Sequence, residues 1–136
     1  MNDPMEVKMC KILVVDDDPD FVEITRMVLQ KEGHTVITAP SGDKGLEVAQ
    51  RELPEIVLLD VMMDTVLDGL HVSHELHKVP ELQATRVIMV TSIMDTDNAA
   101  LFPTDEYLPV DAWLTKPIDP QKLIKTVNQY CTHKRV

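Results

Sequence analysis

Cysteine is nearly missing from this chain. Cys10 and Cys131 are the only two in 136 residues, and neither belongs to a CxxC pair. That usage argues against a disulfide framework and makes reduced thiols in the cytosol the default. Basic residues are outnumbered: 13 Lys plus Arg face 23 Asp plus Glu, a formal net charge of −10. Such a balance opposes nucleic acid and anionic lipid as partners and suits a site that holds a cation. No apolar run approaches the ~20 residues of a membrane span. The first nine residues contain Asp3, Pro4 and Glu6 without a hydrophobic core, so residues 1–9 are expected to be a flexible leader and not a secretory signal. Repeats, low-complexity tracts and a linker to a second domain are all missing. What is present is 44% apolar and 26% charged, the composition of one globular domain with a single core.

The organising stretch is Ile56-Val57-Leu58-Leu59-Asp60. Four aliphatic residues in a row read as a short strand covered on both faces, as in a parallel sheet. The run ends in a carboxylate, at the strand end where open α/β sheets place their ligands. The same grammar recurs along the chain. Lys11 to Val15 is a first strand closed by Asp16, Asp17 and Asp18. Asp18 then caps a helix with Pro19 at its first position and Phe21, Ile24, Val28 and Leu29 at helical spacing, and Gly33 stops it. Thr35 to Thr38 is a second strand, and Ser41 caps a helix whose apolar positions include Leu46, Ala49 and Leu53. After the organising strand, Gly69 leads into a helix with Val72, Leu76 and Val79 on one stripe, ended by Pro80. Arg86 to Thr91 is a fourth strand, and Ala112 to Leu114 a fifth that runs into Lys116-Pro117. Between them Pro103 and Pro109 forbid a long helix, so the fourth helix is expected to be short or irregular. Asp119 and Pro120 open a last helix whose inward residues are Leu123, Ile124, Val127 and Cys131.

Strands and helices that alternate five times are solved most economically by parallel strands with right-handed helical crossovers. All strand ends then lie on one edge. Asp16 and Asp17, Asp60, Thr91 and Lys116 therefore converge from four strands. Carboxylates gathered so closely need counter-charge, which Lys116 supplies in part and a divalent cation would complete; Asp oxygens with waters suit Mg²⁺. An Asp carboxylate can accept a phosphoryl group. Lys116 could pair with a phosphoryl oxygen and the Thr91 hydroxyl could hydrogen-bond to another, so that positioning and charge neutralisation do most of the work.

These residues, as Val14-Val15-Asp16-Asp17, Leu58-Leu59-Asp60-Val61-Met62-Met63, Val90-Thr91-Ser92 and Leu114-Thr115-Lys116-Pro117, resemble the receiver domain of two-component response regulators. The resemblance covers about residues 10–132 and implies a flavodoxin-like α/β fold, a doubly wound five-stranded parallel sheet in three layers with order 2-1-3-4-5. It implies that Asp60 is the phosphoacceptor, that Asp17 binds Mg²⁺ directly with Asp16 acting mainly through water, and that Met62 offers the metal its backbone carbonyl. Thr91 resembles the switch hydroxyl and Trp113 occupies the place of the switch aromatic; Lys116 matches the lysine of the motif, whose bond to Pro117 is often cis in the family. The implied partners are a histidine kinase or phosphotransfer protein, a downstream protein target and, in some members, a second copy as homodimer. The implied setting is cytoplasmic. Such a domain is no enzyme in the usual sense, since it catalyses only its own phosphorylation and dephosphorylation.

Two departures stand out. The family commonly has Pro four residues after the acceptor and Gly eight after it; here position 64 is Asp and the glycine is Gly69, which implies a loop longer by one residue. The second departure is the proline-broken segment 95–110, in a region that family members use to dimerise or dock a target. His71, His74, Glu75 and His77 invite a metal reading, but three histidines spread over about 120° fit a solvated helix face better. Trp113 taken alone reads as core packing. Two other functions compete with the signalling one. A Mg²⁺-dependent aspartyl-phosphate phosphohydrolase typically needs a second acid two residues after the nucleophile, where this chain has Met62. A degenerate receiver that binds its partner constitutively would have no need of the acids and the lysine. The sequence reading is therefore a stand-alone receiver switched by phosphorylation.

Overall fold

Runs such as Lys-Ile-Leu-Val-Val can bury both faces only inside a sheet covered on each side, and the chain supplies the covering helices between them. The computed structural model describes residues 9–60, 68–92 and 111–131. Within them the strands are β1 (Lys11–Val15), β2 (Thr35–Ala39), β3 (Ile56–Asp60), β4 (Arg86–Ser92) and β5 (Ala112–Lys116). The helices are α1 (Pro19–Lys31), α2 (Gly42–Glu52), α3 (Asp68–Leu76) and α4 (Pro120–Tyr130), with a 3₁₀ turn at Pro80–Leu82. The sheet is parallel throughout, in the expected order β2-β1-β3-β4-β5. The leader, the loop after Asp60 and the proline-broken segment fall in 1–8, 61–67 and 93–110, outside the described residues.

Side chains alternate across a strand, so each strand feeds two cores. Leu13, Val15, Val57 and Leu59 join Ala49 of α2 and Val72 and Leu76 of α3 on one face. Ile12, Val14, Ile56 and Leu58 join Leu29 of α1 and Leu123 and Val127 of α4 on the other. β1 is thus the strand with partners on both edges nearest the first crossover, and its register is pinned from Lys11↔Thr35 to Val15↔Ala39 on one side and from Ile12↔Ile56 to Val15↔Leu59 on the other. Close packing over β1 is made possible by Gly45 of α2: a Cβ there would lie 2.8 Å from Val15 Cγ2.

The helix signals act as read. Asp18 accepts from the N–H groups of Asp20 and Phe21, Ser41 from Lys44, and Asp119 from Lys122. Gly33 turns α1 off with φ 99°, a left-handed backbone that glycine adopts without a Cβ clash.

Several expectations need correcting. Ile24 is 60% exposed and Thr25 is buried in its place, because one residue is a 100° rotation on a helix and the stripe toward the sheet runs through Thr25 and Leu29. Leu53 does not extend the inward face of α2: the helix ends at Glu52, and Leu53 closes it in the left-handed region with φ 50° while its side chain stays exposed. Ile124 is only half-buried. The largest correction concerns the thiols. Cys10, just before β1, and Cys131, the C-cap of α4, are joined by a disulfide with Cα atoms 6.1 Å apart. A separation of 121 residues leaves no local pattern that could announce it. The pairing arises because β1 and α4 pack on the same face and bring both cysteines into one core.

Candidate functional site

Parallel strands deliver their carboxyl ends to one edge, and four of the five end here in groups that bear on one another. Asp16 and Asp17 follow β1 directly, and Asp60 ends β3, its neighbour in the sheet. Carboxylate oxygens of Asp16, Asp17 and Asp60 all lie within 4.8 Å of one another. Asp16 is 3% exposed and Asp60 5%, whereas Asp17 faces solvent. Charges this close and this dry need compensation.

Lys116 gives part of it. Its Nζ lies 2.9 Å from Asp16 Oδ2 and 3.6 Å from Asp60 Oδ2. Burial alone would lower the affinity of this amine for its proton. Contact with Asp16 and the fields of Asp60, Asp16 and Asp18 outweigh that, and the ammonium is held above the usual lysine range. The Phe21 ring, 4.3 Å from Nζ, closes the other side as a cation–π contact. The Lys116-Pro117 bond is cis, as expected.

Asp16 is committed at both oxygens: Oδ1 accepts from the Asp18 N–H at 2.9 Å while Oδ2 faces Lys116. The donor set left toward solvent is all carboxylate oxygen, gathered from two strands around a spot that one ammonium only partly neutralises. A hard divalent cation fits such a set, and no nitrogen or sulfur donor competes for it among the described residues.

Thr91 lies in β4 opposite Thr115, one residue before the Ser92↔Lys116 pair. Its Oγ1 is buried and has no hydrogen-bond partner among the described residues. Buried hydroxyls are nearly always satisfied, so an orphan one residue beyond the Asp60↔Val90 pair points to a ligand oxygen that would satisfy it. Trp113 lies three residues before Lys116, opposite Met89. At 36% exposure it belongs to neither core cluster of the described residues. Met62, expected to offer a carbonyl, is outside the described residues, as are Asp64 and the rest of that loop.

The histidines divide. His74 is exposed, in line with a solvated face. His77 is not part of that face: its ring nitrogens lie 3.0 Å from the Ser73 carbonyl and 3.1 Å from the Thr85 carbonyl, pinning the end of α3 to the start of β4. Sequence reading missed two residues. Phe21 was visible only as a core position, although its place in the first turn after the acidic pair already put it near the strand tips. His34, buried at the start of β2, accepts from the Cys10 N–H at 3.1 Å on Nδ1 and meets Asn128 Oδ1 at 3.2 Å through Nε2. Nothing in the local sequence signals that bridge.

Known proteins show the same arrangement of sequence and fold. Residues 12–128 match the response regulator receiver domain family. The protein PilH of Pseudomonas aeruginosa is 35% identical over 120 residues, covering 88% of this chain and 96% of PilH. The alkaline phosphatase synthesis transcriptional regulatory protein PhoP of Bacillus subtilis is 33% identical over 83% of this chain, which spans 42% of PhoP. Among solved structures, the chemotaxis response regulator CheY4 of Vibrio cholerae superposes with a TM-score of 0.77 at 26% identity, covering 90% of this chain and 98% of that one. A CheY-like receiver domain protein of Methanospirillum hungatei gives 0.76 at 26% identity, covering 90% and 94%. With the family matched along most of its length and the five-stranded sheet in the family order, this chain belongs to the response regulator receiver domain family.

Proposed function

We propose that this receiver domain accepts a phosphoryl group on Asp60 from a phosphohistidine of a kinase or phosphotransfer protein, with Mg²⁺ bound by the acids, and that the change of state controls a partner protein. The observation that supports it most is the convergence of Asp16, Asp17 and Asp60 within 4.8 Å on a lysine at 2.9 and 3.6 Å, beside an unpartnered Thr91 hydroxyl. Asp60 attacks phosphorus, the P–N bond to the donor breaks as the P–O bond forms, and the freed imidazole keeps the electron pair and takes up a proton. A bound Mg²⁺ would neutralise charge on the transferring phosphoryl oxygens. Asp17, exposed and uncommitted, would be the direct ligand with Asp60 and the Met62 carbonyl; Asp16, occupied at both oxygens, acts through water.

Lys116 is placed to follow the new charge. Once Asp60 is phosphorylated, the ammonium 3.6 Å from its carboxylate gains a doubly charged neighbour in place of a singly charged one. Thr91 gains an acceptor for its Oγ1 proton, and β4 and β5 shift together because they are adjacent in the sheet. Trp113 on β5 is then the aromatic group positioned to report or transmit that shift. The chain works on itself and turns over no external substrate. Its partners are the phosphodonor and a downstream target, with a second copy as one form the target could take, and the setting is the cytoplasm where such donors act.

Incubation with acetyl phosphate and Mg²⁺ tests this reading. Wild type should take up one phosphoryl group and Asp60→Asn none, read by intact mass. Undiminished uptake by Asp60→Asn would move the acceptor elsewhere. Steady release of phosphate from a small ester, at a rate far above the decay of the phosphoprotein, would instead favour a phosphohydrolase.

A further inference from the structure

The two cysteines lie at the opposite edge of the sheet from the acids, and the receiver reading makes no use of them. Cys10 precedes β1, whose far end leads to Asp16; Cys131 ends α4. Both are 3% exposed and joined. A sealed staple would need nothing more. Here, however, an open cavity of about 300 Å³ at the foot of the sheet is lined by both cysteines together with Pro54, Thr85, Arg86 and Tyr130. That space borders both residues of the bond and has room for a small thiol beside them. The two elements also remain tied without it. His34 links the Cys10 backbone to Asn128 of α4, and Leu123 and Val127 stay in the core. Breaking the bond therefore leaves a folded protein with a looser last turn of α4.

We propose that Cys10 and Cys131 are a reversible thiol–disulfide couple, exchanged by low-molecular-weight thiols entering this cavity, which fastens or frees the C-terminal turn of α4. A thiolate attacks one sulfur of the bond and forms a mixed disulfide. The other cysteine leaves as a thiolate and takes up a proton. A second thiol displaces the first as a small-molecule disulfide, so that two external thiols are oxidised while two cysteines are reduced. The reverse reaction with the small-molecule disulfide restores the clasp.

The test uses the full chain equilibrated in native buffer with defined ratios of reduced to oxidised glutathione, then quenched with a maleimide and read by intact mass. The expected result is two thiols appearing together, with no singly labelled plateau, and disappearing again as oxidised glutathione is raised. The reduced protein should keep its far-UV spectrum but melt roughly 10 °C or more lower, since the bond closes a loop of most of the chain. Amide exchange should rise at 129–131 ahead of the strands. Cys131→Ser should melt with the reduced wild type and gain no stability as oxidised glutathione is raised, adding at most one glutathione at Cys10, where exchange stalls without its partner; if that variant fails to fold, Cys10→Ala and reduced wild type serve the comparison. Two thiols that label in the isolated protein and fail to join when oxidised glutathione is raised would overturn the proposal. So would a bond that glutathione cannot reduce until denaturant is added, one opened only by a dithiol protein, or equal melting and exchange in the two states.

Discussion

Replacing Asp60 by Asn should make the metal-free protein more stable, although it removes the group on which the proposed chemistry depends. Asp60 has two carboxylate neighbours with oxygens within 4.8 Å; at an effective dielectric of about 20, each such pair costs at least about 3.5 kcal/mol. Its attraction to Lys116 at 3.6 Å returns about 4.6 kcal/mol on the same footing. Among these three neighbours repulsion thus exceeds attraction by about 2 kcal/mol. Because Asp17 is exposed and salt screens it, the margin is reduced to about 1 kcal/mol. For a chain of this size that corresponds to about 3–5 °C in Tm. The assay is thermal unfolding in chelator and again with excess Mg²⁺. In chelator, Asp60→Asn should melt above wild type. With Mg²⁺ the order should reverse, since wild type gains about 2.7 kcal/mol at a hundred times its dissociation constant and the variant, short of one ligand, gains less. A variant that melts below wild type in chelator, or that keeps its lead in Mg²⁺, would refute the electrostatic account of the strand tips.

Lys116→Met should lower stability at neutral pH by leaving buried Asp16 without its cation. Because the folded-state proton affinity of Lys116 is raised, its contribution is fully present below the usual lysine range and is lost as pH climbs through the folded value. Urea midpoints of wild type and variant should therefore converge at strongly alkaline pH, and a constant gap would sink the assignment. Gly45→Ala gains about 1 kcal/mol of helix propensity but places a methyl 2.8 Å from Val15 Cγ2. Since Val15 is β-branched and held in the central sheet, the clash should win by about 1–2 kcal/mol in urea unfolding. Leu53→Gly should raise Tm by a few degrees, as it removes about 1 kcal/mol of left-handed strain at φ 50° from an exposed side chain; a fall in Tm would show that Leu53 contributes contacts instead.

The strand tips were legible because their signal is local: an aliphatic run that stops at an acid or a lysine states both the strand and what it delivers. The sheet order came from the family resemblance, and the register of β1 between β2 and β3 agrees with it. Helix faces were legible to within one residue, which was enough to find Leu29 and Val127 and not enough to choose Thr25 over Ile24. What stayed hidden is long-range. The Cys10–Cys131 bond, the His34 bridge to Asn128 and the grip of His77 on the Thr85 carbonyl join segments whose separation in sequence leaves no periodicity to read. Phe21 shows the remaining difficulty, since a ring at a core-spaced position says nothing about the ammonium it will face.

The double pairing of β1 limits how its two ends can communicate. To slide along its own axis, this strand would have to break the ladder with β2 and the ladder with β3 in the same motion. At about 3.3 Å per residue, its five residues form a strut some 17 Å long that transmits push and pull without yielding. Among the described residues α4 has no such ladder; core packing, the Cys10–Cys131 bond and the His34–Asn128 contact hold it to the sheet. Because α4 lies between Lys116-Pro117 and Cys131, a change at the thiol end can reach the acidic end as a tilt of that helix, with the strand as the fixed post against which the tilt is measured.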